Sequence, residues 1–245
     1  SNAIVSFYGR LNYNYDSKYL LTASLRSDGS SRFAEDNRWG LFPAVALGWK
    51  IKEESFLKDS KSVSNLKLRL SYGVTGQQDG IDNYYSQTGY NTGFLSNQYT
   101  FGNTPYTTVA PQPFNPLLRW EQTTSFNIGL DFGFIDNRIS GSIDVYQKNT
   151  NDLLSLTTVP LGVNFSDQIL LNIGSMENRG VEFNLNATPV QTDDLSWNVN
   201  FNATYNENKI TKLTEGDDTG VGLFSNETLV NTVGYPRNTF YLYHQ

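Results

Sequence analysis

The chain has 245 residues, a formal net charge of −6 and no cysteine. The acidic balance offers no clustered Lys and Arg for phosphates, which excludes nucleic acid as a partner, and the absence of thiols excludes a disulfide framework. No apolar run approaches the ~18 residues of a membrane helix, so a helical membrane protein is excluded; a membrane barrel, whose signal is alternation, is not.

Ser1-Asn2-Ala3 reads as a tag-cleavage scar at residues 1–3, and with no signal peptide after it the chain is expected to be a piece of a longer one. From there period-two segments recur. Phe7, Leu11, Tyr13 and Tyr15 alternate with Tyr8, Arg10, Asn12 and Asn14, and Tyr19, Leu21, Ala23 and Leu25 with Thr22, Ser24 and Arg26. Leu41 to Ile51 and Leu66 to Val74 repeat the pattern, the latter with Lys67 and Arg69 on its polar side. The cleanest case is residues 124–148. Phe126, Ile128, Leu130, Phe132 and Phe134 alternate with small or acidic residues up to Ile135-Asp136-Asn137-Arg138, and Ile139, Gly141, Ile143 and Val145 continue beyond it. Two alternating arms around an Asp-Asn turn predict a β-hairpin. Val181 to Ala187 and Leu195 to Tyr205 complete eight strands, with a weak further strand near Leu153 to Val159 as an extension of the hairpin's second arm.

One side of every strand is oily and uncharged; the other carries Asn, Ser, Thr, Gly and a few charges. Connections alternate in length. They are short at Asp16-Ser17, residues 135–137 and residues 191–194, intermediate over 53–65, and long over 28–38, 76–119 and 149–172. Short turns at one end and long loops at the other are what an up-and-down barrel across an outer membrane requires. Aromatics at strand ends (Tyr13, Tyr15, Tyr19, Trp39, Trp49, Phe132, Phe134, Trp197, Tyr205) suit interfacial girdles. A soluble β-sandwich also alternates, so a sugar-binding sandwich or a surface adhesin stands as the alternative. The expected class is all-β: an antiparallel up-and-down sheet in residues 4–213, followed by a loop and the start of another strand in 214–245.

Several blocks resemble the SusC/RagA family of TonB-linked outer-membrane transporters. They are Leu21-Thr-Ala-Ser-Leu-Arg-Ser-Asp-Gly-Ser-Ser-Arg-Phe33, Arg38-Trp-Gly-Leu-Phe-Pro-Ala-Val-Ala-Leu-Gly-Trp49, Leu66-Lys-Leu-Arg-Leu-Ser-Tyr-Gly-Val-Thr-Gly-Gln77, Asn115-Pro-Leu-Leu-Arg-Trp-Glu121, Asn172-Ile-Gly-Ser-Met-Glu-Asn-Arg-Gly-Val-Glu-Phe183 and Trp197-Asn-Val-Asn-Phe-Asn-Ala-Thr-Tyr-Asn206. The resemblance implies a barrel of about 22 strands with a plugged lumen. It also implies a TonB partner, a SusD-like surface lipoprotein as lid, and import of glycan or peptide through the outer membrane of Bacteroidetes-type bacteria.

No catalytic set can be assembled, because the one histidine, His244, is at the end of the chain. No enzyme, cofactor or metal is expected; Asp193-Asp194 and Asp217-Asp218 read as solvated turns rather than calcium ligands. The substrate-binding candidates are the aromatics of the long loop: Tyr84, Tyr85, Tyr90, Phe94, Tyr99, Phe101 and Tyr106, with Trp120 at its end. Rings for apolar faces, interleaved with amides for hydroxyls, suit an oligosaccharide or a peptide. Arg10, Arg26, Lys67, Arg69, Asp131, Asp144 and Glu182 are the candidate lumen-lining charges, with cross-strand ion pairing as the alternative role.

Overall fold

A computed structural model describes residues 2–91, 98–107, 109–160, 168–213, 222–226 and 228–242. The strands are β1 (Ile4–Tyr15), β2 (Tyr19–Ser30), β3 (Trp39–Lys50), β4 (Val63–Gln77), the short β5 (Tyr90–Asn91), β6 (Gln98–Phe101), β7 (Thr104–Thr107) and β8 (Ala110–Pro111), then β9 (Glu121–Phe134), β10 (Ile139–Thr158), β11 (Gln168–Gln191), β12 (Ser196–Lys212), β13 (Gly222–Asn226), β14 (Leu229–Thr232) and β15 (Thr239–Phe240). Eight of them form one antiparallel meander in the order β1-β2-β3-β4-β9-β10-β11-β12. Every neighbour is the next long strand along the chain, with β5 to β8 set aside in two small ribbons of their own. β13, β14 and β15 make a separate three-stranded sheet within the region expected as loop and strand start.

The turns explain themselves locally. Asp16 and Ser17 take φ of 51° and 55°, and Asp136 and Asn137 take 52° and 62°. Asp and Asn tolerate this left-handed region because their short polar side chains bond locally, so both hairpins close tightly.

Register carries the alternation across the whole sheet. Tyr13 pairs with Leu21, Leu21 with Leu47, Leu47 with Leu70, Leu70 with Ile128, Ile128 with Val145, Val145 with Val181 and Val181 with Tyr205. A slip of one residue anywhere would turn oily side chains into the polar face. These rows stay exposed: Leu47, Ile128, Val145, Val181 and Phe201 all face outward, and no second sheet among the described residues covers them. A sandwich would bury this face. The sandwich alternative therefore fails on geometry.

Two belts bound the oily band. At the short-turn end Tyr15, Tyr19 and Trp49 stand in a file, with ring centroids 6.3 and 6.5 Å apart. At the other end Phe7 stacks on Trp39 at 6.0 Å. Trp39 and Trp49 lie on the same strand. At ~3.3 Å per residue and a tilt of ~40°, the belts are ~25 Å apart along the barrel axis, the height of an outer-membrane apolar band.

The lower belt is tied to the connection that follows β3. Glu54 Oε1 accepts from Tyr19 Oη at 2.6 Å and from Trp49 Nε1 at 3.0 Å. These bonds hold its carboxyl below the usual range, helped by Lys18. A carboxyl lowered in the folded state stabilises above its unfolded pKa, and that contribution is lost as pH falls through the folded value. Trp49 emission should therefore shift as the medium is acidified below the usual carboxylate range, and Glu54→Gln should flatten that response.

Much of the expected loop over 149–172 is instead strand, at residues 149–158 and 168–172. β10 runs on to Thr158 and β11 begins at Gln168, interrupted by a bulge at Asp152, whose φ is 57°. The weak segment near Leu153 does extend the hairpin's second arm. Above the belt both faces of a strand meet water, so period two fades although the ladder continues.

The compact core sits at the long-loop end. The β3–β4 ladder stops at Ala44–Gly73, next to Pro43, which has no N–H to give. Beyond that point Phe33, Phe42, Ile81, Leu118 and Trp120 cluster, with Val74, Tyr85, Leu154 and Leu170 packed against them. Long loops are thus anchored on the end of the sheet by an aromatic plug.

Candidate functional site: the polar face and the loops at its mouth

Parity puts Arg69, Asp131 and Asp144 on the polar face, and register brings them together. Arg69 pairs with Gly129, and Gly129 with Asp144. Arg69 Nε donates to both Asp131 oxygens at 3.0 Å, while Nη2 donates to Asp131 Oδ1 at 2.8 Å and to Asp144 Oδ2 at 3.0 Å. One guanidinium fork thereby spans β4, β9 and β10. The space it occupies exists because residue 129 has no side chain: a Cβ there would lie 2.7 Å from Arg69 Cζ. In a strand Gly→Ala normally stabilises by roughly 0.5–1 kcal/mol. Gly129→Ala should instead destabilise the lipid-refolded protein by ~1 kcal/mol through the displaced fork, and the loss should shrink in an Asp144→Ala background.

The other charges are dispersed. Arg26 pairs within its own strand with buried Asp28, Nε to Oδ2 at 2.6 Å. Arg10 reaches Asn12 Oδ1 at 3.3 Å and makes no ion pair among the described residues. Lys67 and Glu182 make no ion pair among the described residues. Of the seven, three converge and four do not. On β11 and β12 the same face is an amide lattice. Asn186 donates to Asn184 at 3.2 Å, Thr188 to Asn198 at 2.8 Å, and Tyr146 to Asn206 at 3.1 Å.

The loop aromatics divide. Tyr84, Tyr90, Tyr99, Phe101 and Tyr106 are exposed, and Tyr99 and Phe101 lie with ring centroids 5.8 Å apart on the β6–β7 ribbon. Tyr85 is half-buried, and its hydroxyl accepts from Leu170 N at 2.8 Å. Trp120 is buried, 5.1 Å from Phe33 and 5.5 Å from Phe42 by centroid, with Nε1 donating to Arg38 O at 3.1 Å. Phe94, His244 and Asp217-Asp218 lie outside the described residues.

The residues that position this loop fall within the family-like blocks, where the sequence alone assigns them no role. Asn115 is buried, donates to Leu170 O at 2.9 Å and accepts from Leu117 N at 2.9 Å. Asn172 accepts from Arg119 N at 2.9 Å and donates to Arg119 O at 2.8 Å, while Arg119 pairs with Asp152 at 2.6 Å. Asn115 stands before Pro116, where an extended backbone leaves the carboxamide free to bridge; that was the available signal. Between this loop, the upper ends of β10, β11 and β12 and the β14 region lies a cavity of about 320 Å³.

The TonB dependent receptor-like, beta-barrel family profile matches residues 1–245. The chain is 49% identical over 253 residues to the TonB-dependent receptor SusC of Bacteroides thetaiotaomicron, covering 100% of this chain and 25% of that protein. It is 43% identical to the TonB-dependent receptor P39 of Formosa agariphila, covering 96% of this chain and 22% of that one. Among solved structures, the RagAB peptide importer in its closed-closed state superposes with a TM-score of 0.84 at 34% identity, over 98% of this chain and 25% of that chain. The siderophore receptor PirA of Pseudomonas aeruginosa, at 16% identity and a TM-score of 0.53, shares the fold alone. The chain spans about a quarter of the length of the relatives it matches first.

Proposed function

We propose, from the premise that this chain belongs to the TonB-dependent receptor β-barrel family, that it forms part of the wall and mouth of a nutrient importer. The family is one of transporters in the outer membrane of Gram-negative bacteria rather than of enzymes. In this reading the oily face of the eight-stranded sheet meets lipid. The polar face lines a lumen, the long-loop end opens to the outside, and glycan or peptide enters there. The single observation that carries it is the uncharged outward face, kept in register through eight strands and bounded by two aromatic belts.

TonB supplies the energy for import, and a SusD-like lipoprotein caps the mouth; the RagAB likeness supports such a two-component assembly. The loop rings Tyr84, Tyr90, Tyr99, Phe101 and Tyr106 form an exposed platform on the path of the substrate, while Tyr85 and Trp120 hold that platform in place. The experiment is uptake of labelled peptides and oligosaccharides by cells carrying the intact protein. Uptake should stop when either TonB or the neighbouring lipoprotein is removed; undiminished uptake in both deletions would overturn the proposal.

A further inference from the structure

On β11 and β12 the outward face stops being oily abruptly. Val181 opposite Tyr205 is its last apolar pair; the next two outward pairs are Arg179 opposite Glu207 and Glu177 opposite Lys209. The four make a checkerboard of alternating sign. Arg179 Nε and Nη2 donate to Glu207 Oε2 at 3.0 and 2.8 Å, and Nη1 lies 3.9 Å from Glu177 Oε1. From β10, Gln147 Nε2 donates to Glu177 Oε2 at 3.5 Å. Lys209 is exposed and makes no ion pair among the described residues, although the residue opposite it carries a carboxylate.

The cluster is local. At the comparable outward positions of the neighbouring strands stand Val74 and Gly76 on β4, Thr124 and Gln122 on β9, and Gln147 and Asn149 on β10, all uncharged. A collar that served only to keep the wall from sinking would be charged on these strands too. Its depth follows from the strand. Tyr205 comes eight residues beyond Trp197, and Glu207 and Lys209 two and four residues beyond Tyr205. At ~3.3 Å per residue and a tilt of ~40°, Tyr205 lies ~20 Å above Trp197 and the charges ~5–10 Å higher, the depth of headgroups above a hydrocarbon core.

A hollow of about 410 Å³ joins the charges to the oily face. Val145, Val181 and Tyr205 form its apolar part, and Arg179 and Glu207 stand at its charged end. An apolar trough with charge at one end matches an amphipathic molecule rather than a soluble ion. Of the two cations, Arg179 is held by carboxylates. Lys209 is left to meet a phosphate, the anionic group that a lipid carries at this depth.

We infer that this corner of the wall seats a phosphorylated lipid of the outer leaflet, its chains along Val145, Val181 and Tyr205 and its phosphate on Lys209. The inference rests on the reading that the oily face meets lipid, and adds to it one lipid class at one place. The test is native mass spectrometry of the intact protein in detergent, titrated with diphosphoryl lipid A and with the same lipid after phosphatase treatment. The phosphorylated form should bind at least ~5-fold more tightly, the increment of one Lys near an anionic headgroup. Lys209→Ala should erase that difference and Lys209→Arg should keep it. Glu207→Gln should widen it, because the Arg179 guanidinium is then free to turn to the phosphate.

Equal binding of the two lipids would overturn the seat, as would a preference that survives Lys209→Ala. Displacement of the lipid by equimolar inorganic phosphate would also overturn it, by reducing the site to one for a free anion. The premise is read separately, from quenching by brominated acyl chains as the difference between the protein and its Trp197→Phe variant. Quenching of Trp197 with no preference for phosphate would sink the seat alone; no quenching of Trp197 would sink the lipid-facing reading.

Discussion

Ile143→Arg in the intact protein is expected to cost ~2–4 kcal/mol of stability on refolding into lipid. Ile143 pairs with Leu130 and Phe183, and Leu130 with Leu68, so the new charge would stand in the middle of an apolar row with hydrocarbon as its only solvent. Its neighbour in sequence sets the contrast. Asp144→Asn sits on the wet face, removes one of the two carboxylates on Arg69 and leaves the Asp131 bonds in place. It should cost at most ~1 kcal/mol, the range of a partly exposed pair. Equal losses for the two substitutions, read from urea titrations of the protein in vesicles, would mean that the two faces of the sheet have been interchanged.

Trp120→Ala should cost ~3–5 kcal/mol locally, the range for removing a buried aromatic and leaving a cavity. The loss falls on the mouth rather than on the wall, because the Trp120 ring fills the opening above Ala44–Gly73 together with Phe33 and Phe42. Amide exchange over residues 78–91 should rise while exchange in β9 and β10 stays low. Trp120→Phe should recover most of the protection and forfeit only the bond to Arg38 O. Were Trp120 a substrate-stacking ring instead, Trp120→Ala would weaken binding and leave exchange in the loop unchanged. The same pair of measurements thus separates a scaffold from a contact.

Much of the wall was legible because the lipid requirement is written in period two. Residues 124–148 give their strands, turn and faces without any tertiary information, since each side chain on the outward face had to be apolar. The upper part of the β10–β11 ribbon was legible only as a weak extension near Leu153. Asn151, Asp152, Ser155 and Thr157 stand among Leu153, Leu154 and Leu156 in no regular order, because neither face is constrained by lipid there. Parity also assigned Arg69, Asp131 and Asp144 to the lumen but not to each other. Their convergence depends on registers across β4, β9 and β10, and on a glycine whose absent side chain is what admits the guanidinium. The burial of Trp120 was illegible for the opposite reason. It ends a loop full of exposed rings, and what covers it comes from Phe33 and Phe42, far away along the chain.

The longest excursion between paired strands of the wall lies between β4 and β9, where the chain leaves the sheet at Gln77 and re-enters at Glu121. An unstapled seam would be the natural place for a tensioned cylinder to tear. A pull along the axis loads that junction in shear, where its main-chain bonds resist together, and the Arg69 clasp rivets it to the strand beyond. The piece of the sequence that strays furthest therefore costs the cylinder little mechanical strength, and its loops are free to vary without the wall failing.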